Sequence, residues 1–317
     1  MRIAVTGANG FVGRTLSTVL CDAGHEVTAL VRREGAHDPR VRELVVADDN
    51  FASLAAGKPA LEPCDTLILL AARVHLMTDD ASDPLAAYRA TNVEGSMNAA
   101  RAAVSAGASR IVFVSSVKAL GEDEPGRPWR EDDIPAPVDP YGVSKYEAEA
   151  ALIDFGRANG VEVAIVRPPL VYGPGVRANF LGLVKAIERG LPLPLGSVEA
   201  RRSMVYVGNL ADAIRALATH VGPVHGVFHV SDLDDQTVAG MVRAIATELH
   251  RPARLWPVPV TWLRAAGKLT GKGPQVQRLT SSLRVDCARL PRELGWTPPW
   301  SVSHGLAETI RAFRASR

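Results

Sequence analysis

A glycine-rich turn separates the first apolar run of the chain from its first amphipathic segment. The run Arg2–Thr6 leads into Thr6-Gly7-Ala8-Asn9-Gly10-Phe11-Val12-Gly13, which has the spacing G-x-x-G-x-x-G. Glycine lets the backbone approach a bound group closely, and a helix that begins at such a turn points its free N–H groups at an anion. The turn therefore predicts a site for the pyrophosphate of a dinucleotide. The expected contacts are Gly7, Asn9, Gly10, Phe11, Val12 and Gly13.

Short apolar runs alternate with longer amphipathic segments through the first two-thirds of the chain. The predicted strands are Arg2–Thr6, Glu26–Val31, Leu44–Ala47, Thr66–Ala71, Arg110–Ser115 and Glu162–Arg167. The predicted helices are Phe11–Ala23, Asp83–Ala106 and Tyr141–Asn159, each ending close to a glycine. This alternation is typical of parallel sheets with crossover helices. The predicted fold class is therefore α/β, a Rossmann-type doubly wound parallel sheet.

The composition and the hydrophobic pattern of the sequence change after Arg167, where prolines and glycines cluster and helical patterns dominate. We expect residues 1–167 to form a dinucleotide-binding domain, to which residues 203–230 return. Residues 168–202 and 231–317 are expected to form a smaller, mainly helical substrate-binding region. The stretch Leu255–Leu269 contains Trp256 and Trp262 and has some character of a membrane-seeking segment. The interpretation we favour is an ordinary helix that buries its aromatic side chains.

The residues after the second predicted strand bear on the choice of cofactor. Sheets that bind NAD usually place an acid there, which holds the ribose 2′-hydroxyl group. This chain instead continues as Val31-Arg32-Arg33, and two arginines would attract a 2′-phosphate. Arg32 and Arg33 therefore favour NADP(H) over NAD(H). The alternatives are that both are solvated surface charges, or that Arg32 stacks on adenine.

Tyr141 and Lys145 lie four residues apart, on one face of a predicted helix that Asp139 can cap. A tyrosine with a pKa of about 10 is a poor base, but a nearby ammonium and the charge of a nicotinamide favour its phenolate. Tyr141 is therefore a candidate acid/base in a hydride transfer, and Lys145 is expected also to bind the cofactor ribose. Ser116 follows a strand at the edge where open sheets bind ligands. It is expected to donate to the reacting oxygen, or else only to cap the strand end.

Together these motifs resemble those of the extended short-chain dehydrogenase/reductases, over nearly the whole chain. Leu69-Leu70-Ala71-Ala72 is similar to that family's loop against the adenosine, and Asn92 to its helix-breaking asparagine. The resemblance implies an enzyme with NAD(P)(H) as cofactor. The further cofactor contacts that it implies are Asp48, Leu70, Ala71, Ala72, Asn92 and Pro168.

Two later segments, at residues 167–175 and 202–207, resemble those of nucleotide-sugar epimerases, dehydratases and reductases. By that resemblance Asn179 and Arg202 bind the diphosphate of a UDP-linked sugar. By the same resemblance either Arg278 or Arg284 adds a second phosphate contact, and we take Arg278 as the candidate. Lys118 either contacts the substrate or is a solvated loop residue. The tail from Arg289 to Pro298 is similar to a signature of the same family.

The residues after Ser116 narrow the expected chemistry. Dehydratases of this family carry an Asp-Glu pair there, whereas this chain has Val117-Lys118, so elimination of water is not expected. The run is most similar to a bacterial subgroup that includes reductases of UDP-4-keto-6-deoxy-N-acetylglucosamine, which serve surface polysaccharides. We expect such a 4-keto reduction, and the alternative is a 4-epimerase with retained NAD. A non-catalytic dinucleotide sensor is a weaker alternative, because such proteins lose the Tyr/Lys pair.

Charge and cysteine content restrict partners and compartment. The 36 Lys and Arg residues nearly balance the 34 Asp and Glu residues, giving a net charge of +2, so no nucleic-acid partner is expected. The three cysteines lack metal-ligand spacing, and neither a signal peptide nor an apolar run long enough for a bilayer is evident. We expect a cytoplasmic protein with no metal and no membrane partner. The long helices Asp83–Ala106 and Tyr141–Asn159 usually pair in dimers of this family, so a homodimer is expected.

Overall fold

The structure, a computed structural model, describes residues 1–35, 38–74 and 83–316. Seven parallel strands form a central sheet: β1 Arg2–Thr6, β2 Glu26–Val31, β3 Arg42–Val45, β4 Thr66–Leu69, β5 Arg110–Val114, β6 Glu162–Arg167 and β10 Gly226–His229. Their order across the sheet is β3-β2-β1-β4-β5-β6-β10. The short strands are β7 Leu170–Tyr172, β8 Arg201–Arg202, β9 Met204–Tyr206 and β11 Gln236–Thr237, which pair as β7 with β9 and β8 with β11.

Helices cover both faces of the sheet. They are α1 Phe11–Asp22, α2 Ala52–Ala55, α3 Pro84–Arg89, α4 Gly95–Ser105, α5 Pro140–Asn159, α6 Ala178–Glu188, α7 Val207–Thr219, α8 Val238–Glu248, α9 Val260–Leu269, α10 Gly273–Thr280, α11 Arg289–Leu294 and α12 Val302–Ala315. Side chains of α1 and α7 pack in the core on one face, and those of α2, α4 and α5 in the core on the other. This arrangement confirms the predicted doubly wound Rossmann-type fold.

The direction in which strands are added to the sheet reverses between β1 and β4. From β1 the chain adds β2 and β3 on one side, and from β4 it adds β5, β6 and β10 on the other. Open α/β sheets bind ligands at the carboxyl ends of the strands beside such a point. The glycine turn follows β1 there, and residues 70–72 follow β4. The topology thus brings the two predicted cofactor segments to the same edge.

Residues after β6 build a further layer, in which α6, α8 and α12 enclose a third apolar core. Strand β10 lies outside this layer, because Gly226–His229 pairs in parallel with Ala164–Arg167 of β6 and completes the main sheet. The boundaries between the dinucleotide-binding domain and the substrate-binding region remain a prediction.

Several predicted elements differ from the structure. Strand β3 is Arg42–Val45, two residues earlier than expected; it is the polar edge strand, so its apolar pattern is weak. The long predicted helix from residue 83 is interrupted by a π-helical turn at Ala90–Glu94. The interpretation of Leu255–Leu269 as a helix that buries its aromatics is wrong, because Trp256 is 60% exposed and Trp262 is 70% exposed. Within the described ranges, no helix is both long and apolar enough to cross a membrane.

Candidate active site

The glycine turn is shaped by close backbone contacts. Gly7 has a φ of +70°, and a Cβ placed on it would lie 2.7 Å from the backbone nitrogen of Ala71. A Cβ on Gly13 would overlap the carbonyl oxygen of Gly7. The Thr6 hydroxyl accepts hydrogen bonds from the N–H groups of Leu70 and Ala71 at 3.1 and 3.0 Å. The predicted loop after β4 is therefore fastened directly against the glycine turn.

This turn fits the pyrophosphate of a dinucleotide. Helix α1 begins after Gly10, which has no side chain with which to cap the first N–H groups of the helix. Those groups have no carbonyl partner within the helix and carry the positive end of its dipole. A Cβ on Gly7 would crowd the backbone of Ala71, and one on Gly10 would crowd the carbonyl oxygen of Gly7, so glycine at both positions lets the turn fold this tightly. Gly7, Gly10 and Gly13 are thus placed as a phosphate cradle requires.

The adenosine end of the predicted site contains an acid that the sequence reasoning missed. Arg32 forms an ion pair with Asp49, whose Oδ1 lies 2.7 Å from Nη1. Asp49 follows β3, which pairs with β2, so the sheet rather than the local sequence brings the acid to Arg32. The backbone oxygen of Arg33 accepts a hydrogen bond from the Asn9 amide at 3.5 Å. Asp48 accepts one from the N–H of Ser53 at 3.1 Å and so fixes the turn beside them.

Helix α5 carries Tyr141 at its first turn. Asp139 caps the helix by accepting a hydrogen bond from the N–H of Gly142 at 2.7 Å, as predicted. A Cβ on Gly142 would lie 2.5 Å from the carbonyl oxygen of Lys118. Glycine at this position therefore allows α5 to approach the turn after β5, and this brings Tyr141 next to Ser116.

Burial raises the pKa of Tyr141 to about 12, and a hydrogen bond with the Ser116 hydroxyl opposes this rise. The protein's own groups therefore do not lower the pKa of Tyr141, which the sequence led us to expect. That expectation also counted the positive charge of the nicotinamide, which lies outside the chain. At neutral pH the Tyr141 side chain is a protonated phenol.

Lys145 lies one turn along α5 and is only 1% exposed. Its ammonium donates a hydrogen bond to the carbonyl oxygen of Val114 at 2.7 Å and lies 3.9 Å from the ring centre of Phe113. Burial lowers the pKa of Lys145 to about 7, and the charge of Glu149 opposes this fall. The lysine is thus held at the carboxyl end of β5, beside Ser116.

Asn92 joins the two halves of the candidate site. Its side chain accepts a hydrogen bond from the N–H of Arg73 at 2.8 Å and donates to the carbonyl oxygen of Arg73 at 3.2 Å. It also donates to the hydroxyl of Ser144 at 2.9 Å, between Tyr141 and Lys145 on α5. Asn92 therefore positions the loop after β4 relative to α5, the helix that carries Tyr141 and Lys145. None of its described contacts extends toward the space predicted for the cofactor. Pro168 accepts a hydrogen bond from the N–H of Val117 at 3.0 Å and so holds the Ser116 turn.

Three of the four predicted substrate residues surround one carboxylate, Glu122. Its oxygens lie 2.6 Å from Nζ of Lys118 and 3.2 Å from Nε of Arg278. Arg202 donates to the carbonyl oxygen of Arg278. Burial lowers the pKa of Arg202, although nearby carboxylates, Asp123 and Glu122 foremost, oppose this fall.

The remaining candidates lie elsewhere. Asn179 is exposed at the first turn of α6, and no described contact links it to Arg202. Arg284, the alternative to Arg278, pairs with Glu124 at 2.5 Å. Lys118 also pairs with Asp139, the cap of α5, so its ammonium supports the catalytic helix in this structure.

A cavity of about 800 Å³ opens next to this cation cluster. One wall is the loop from Leu120 to Asp139, and the other is formed by α10 through Gly273, Gln277 and Arg278. Because Asp139 and Leu120 belong to the same turns as Tyr141 and Ser116, the cavity adjoins the candidate catalytic residues. Its volume is ample for a sugar and part of a nucleotide.

A buried charge network under the site was not expected from the sequence. Glu149, one turn beyond Lys145 on α5, pairs with Arg167 at the end of β6, with Nη2 and Oε2 2.5 Å apart. It also accepts a hydrogen bond from the Ser115 hydroxyl at the end of β5. The i, i+4, i+8 spacing of Tyr141, Lys145 and Glu149 was the available signal.

The fold, the glycine cradle and the Ser116–Tyr141–Lys145 cluster together define an enzyme of the extended short-chain dehydrogenase/reductase class. The chain belongs to the NAD dependent epimerase/dehydratase family, whose model matches residues 3–230. It is 38% identical over 314 residues to a UDP-glucose 4-epimerase of Vibrio cholerae, which covers 98% of this chain and 95% of the relative.

Further similarities extend over the full length. An N-acetyl-alpha-D-glucosaminyl-diphospho-ditrans,octacis-undecaprenol 4-epimerase of Escherichia coli O157:H7 is 28% identical over 327 residues, 98% of this chain and 94% of the relative. The solved structure of MoeE5 in complex with UDP-glucose and NAD superposes with a TM-score of 0.77 at 27% identity, covering 100% of this chain and 99% of that one. The predicted membership and the predicted class of enzyme are thereby confirmed.

Proposed function

We propose that the protein reduces the 4-keto group of a UDP-linked 6-deoxy-N-acetylhexosamine with NAD(P)H. The observation that carries this proposal is the placement of the half-buried Tyr141 phenol, which is hydrogen-bonded to the Ser116 hydroxyl and lies one helical turn from Lys145 on α5. A reduction consumes a proton at the carbonyl oxygen, which is what a protonated phenol supplies. The turn after β5 carries Val117 and Lys118 where dehydratases have an acid pair, and this also favours a simple reduction.

In this reduction each residue of the candidate site has a separate role. Ser116 donates a hydrogen bond to the 4-keto oxygen, and Tyr141 donates the proton that converts this oxygen to a hydroxyl group. Lys145 stabilises the phenolate that remains and binds the cofactor ribose. When it is bound, the nicotinamide supplies the hydride for carbon four. Arg202 and Arg278 hold the diphosphate at a distance from the reaction.

An assay with the 4-keto sugar tests the proposal. Stoichiometric loss of NAD(P)H absorbance with formation of one 4-hydroxy sugar is the expected result. Cofactor that binds without turnover of any nucleotide sugar would instead support the non-catalytic sensor. Interconversion of UDP-N-acetylglucosamine and UDP-N-acetylgalactosamine with no net oxidation of cofactor would overturn reduction in favour of epimerisation.

Epimerisation at carbon four is the second candidate, because the Vibrio cholerae relative is named as a UDP-glucose 4-epimerase. The two reactions use the same Ser116, Tyr141 and Lys145. They differ in cofactor exchange: an epimerase regenerates its NAD⁺ within each turnover, whereas a reductase must release it. Mass spectrometry of the purified protein therefore separates them, since retained NAD⁺ indicates the epimerase.

We propose that the enzyme prefers NADP(H), as the sequence favours, and that Arg33 is the residue that carries this preference. Arg32 is already paired with Asp49, so it offers little net charge to a 2′-phosphate. Arg33→Ala is expected to weaken NADPH binding about tenfold or more and to leave NADH binding unchanged, because one charge-assisted hydrogen bond is lost. Arg32→Ala is the matched control and should have a smaller effect. Calorimetric titration with both cofactors measures this, and equal losses for NADH and NADPH in Arg33→Ala would contradict the assignment.

Arg202→Ala is expected to raise KM about tenfold or more with little change in kcat. A diphosphate contact remote from carbon four stabilises the ground state and the transition state alike, and a charged hydrogen bond has this magnitude. Arg201→Ala is the matched control, since the neighbouring exposed guanidinium donates a hydrogen bond to the carbonyl oxygen of Asp235. Steady-state kinetics with the 4-keto sugar give both constants. A fall in kcat at unchanged KM would place Arg202 at the reacting centre instead.

A further inference from the structure

Helix α9 presents apolar side chains to solvent. Trp262 is 70% exposed and Leu269 is 89% exposed. With Ala265 and Ala266 they occupy positions i, i+3, i+4 and i+7, which lie on one face of a helix. We call these four residues the outer stripe.

The opposite side of α9 already has its protein partners. Val260 and Leu263 pack against the third core, and Gly267 lies against Val276 of α10. The outer stripe is therefore a second apolar face on the same short helix, and the protein's own core does not require it. Trp256, six residues before Trp262, is also 60% exposed.

The charged residues in the chain segment that contains the outer stripe are all basic. Residues 249–285 contain seven Lys and Arg residues and no Asp or Glu, although the whole chain has a net charge of only +2. Arg264 and Lys268 lie on α9 itself, and Lys272 lies just after it. None of these three takes part in an ion pair within the described residues. A partner for this face must therefore combine apolar character with negative charge.

We propose that α9 and the segment before it dock on the surface of an anionic lipid bilayer, with the outer stripe in the interfacial region. Tryptophan and leucine on one face, flanked by lysine and arginine, are what such interfacial helices present. Phosphate groups of anionic lipids satisfy the flanking cations. A second copy of this chain fits less well, because a two-fold contact through this face would bring like charges together.

The proposed docking helix lies near the candidate active site. Helix α10 packs against α9 through Val276 and also forms one wall of the 800 Å³ cavity. Helix α9 is therefore separated only by α10 from the cavity in which a nucleotide sugar is proposed to bind. The docking proposal itself does not depend on which sugar reaction is catalysed.

Co-sedimentation of the full-length protein with vesicles tests the proposal. We expect binding to phosphatidylcholine vesicles that contain about 30% phosphatidylglycerol, and little binding to phosphatidylcholine alone. Trp262→Ser should lower the partition coefficient about tenfold or more, and Lys268→Ala about fivefold. The matched controls are Val221→Ser, at an exposed apolar residue outside the segment, and Arg157→Ala, at an exposed arginine of α5. Both should bind as the unsubstituted protein does.

Thermal unfolding of each variant shows whether it is folded, which is expected because the substituted side chains are exposed. Equal binding to both kinds of vesicle, or no effect of Trp262→Ser, would overturn the proposal. Sedimentation of the protein alone addresses the competing occupant. The homodimer predicted on the long helices should persist in Trp262→Ser; its loss, with no vesicle binding, would make the outer stripe a subunit interface.

Discussion

Tyr141→Phe is expected to lower kcat by about 10²- to 10⁴-fold, because the variant has no group that can transfer a proton to the 4-keto oxygen. The phenol ring is retained, so its packing against Tyr88, with ring centres 6.0 Å apart, should persist. The Ser116 hydroxyl loses one hydrogen-bond partner and keeps the N–H of Lys118. Folding and cofactor affinity are therefore expected to change little.

Tyr146→Phe is the matched control, because Tyr146 lies on the same helix and is exposed. Its kcat should equal that of the unsubstituted enzyme. Cofactor binding to Tyr141→Phe is measured by titration, which separates a lost proton donor from a lost cofactor site. If Tyr141→Phe keeps more than about a tenth of the original kcat, Tyr141 is not the acid/base.

Much of the candidate site could be predicted because its residues lie close together in the sequence. The glycine turn joins one strand to one helix, and Tyr141 and Lys145 are separated by one helical turn. Strands β1, β2 and β6 have the predicted limits because they are buried, nearly continuous apolar runs. Local patterns of this kind are set by the period of each element and by its caps.

The features that were missed depend on contacts between distant segments. Asp49 reaches Arg32 because β3 pairs with β2, and Glu149 reaches Arg167 because α5 packs beside β6. The spacing of Glu149 from Lys145 marks Glu149 alone, and no local spacing marks either pair of residues as partners. Trp262 was misassigned for a related reason: α9 has apolar residues on two sides, and only the structure shows which side meets the core.

The buried pair of Glu149 and Arg167 is the second place where a single substitution should have a large effect. Their side chains are 2% and 4% exposed, so each charge depends on the other for solvation. Glu149→Gln leaves the Arg167 guanidinium buried without its counter-charge. Nη1 of this guanidinium already lacks a hydrogen-bond partner among the described residues. We expect a loss of about 3–5 kcal/mol in the free energy of unfolding.

The same substitution should be felt at Lys145, whose pKa Glu149 raises against the effect of burial. Without that carboxylate, the Lys145 ammonium loses a proton more readily, and its pKa falls below about 7. Activity that needs the ammonium is then lost at lower pH. The basic limb of the pH–rate profile should therefore move to lower pH in Glu149→Gln, which a purely structural role would not produce.

Two comparisons make the stability prediction specific. Glu147, which like Glu149 lies on α5, forms a solvent-exposed pair with Arg89 of α3, and Glu147→Gln removes its carboxylate. Such pairs contribute about 1 kcal/mol or less. The double variant Glu149→Leu/Arg167→Met replaces both charges by apolar groups and should recover much of the loss, because neither charge is then left unpaired. Denaturant unfolding of all four proteins gives the free energies. If Glu149→Gln costs no more than Glu147→Gln, the network does not hold the ends of β5 and β6 against α5.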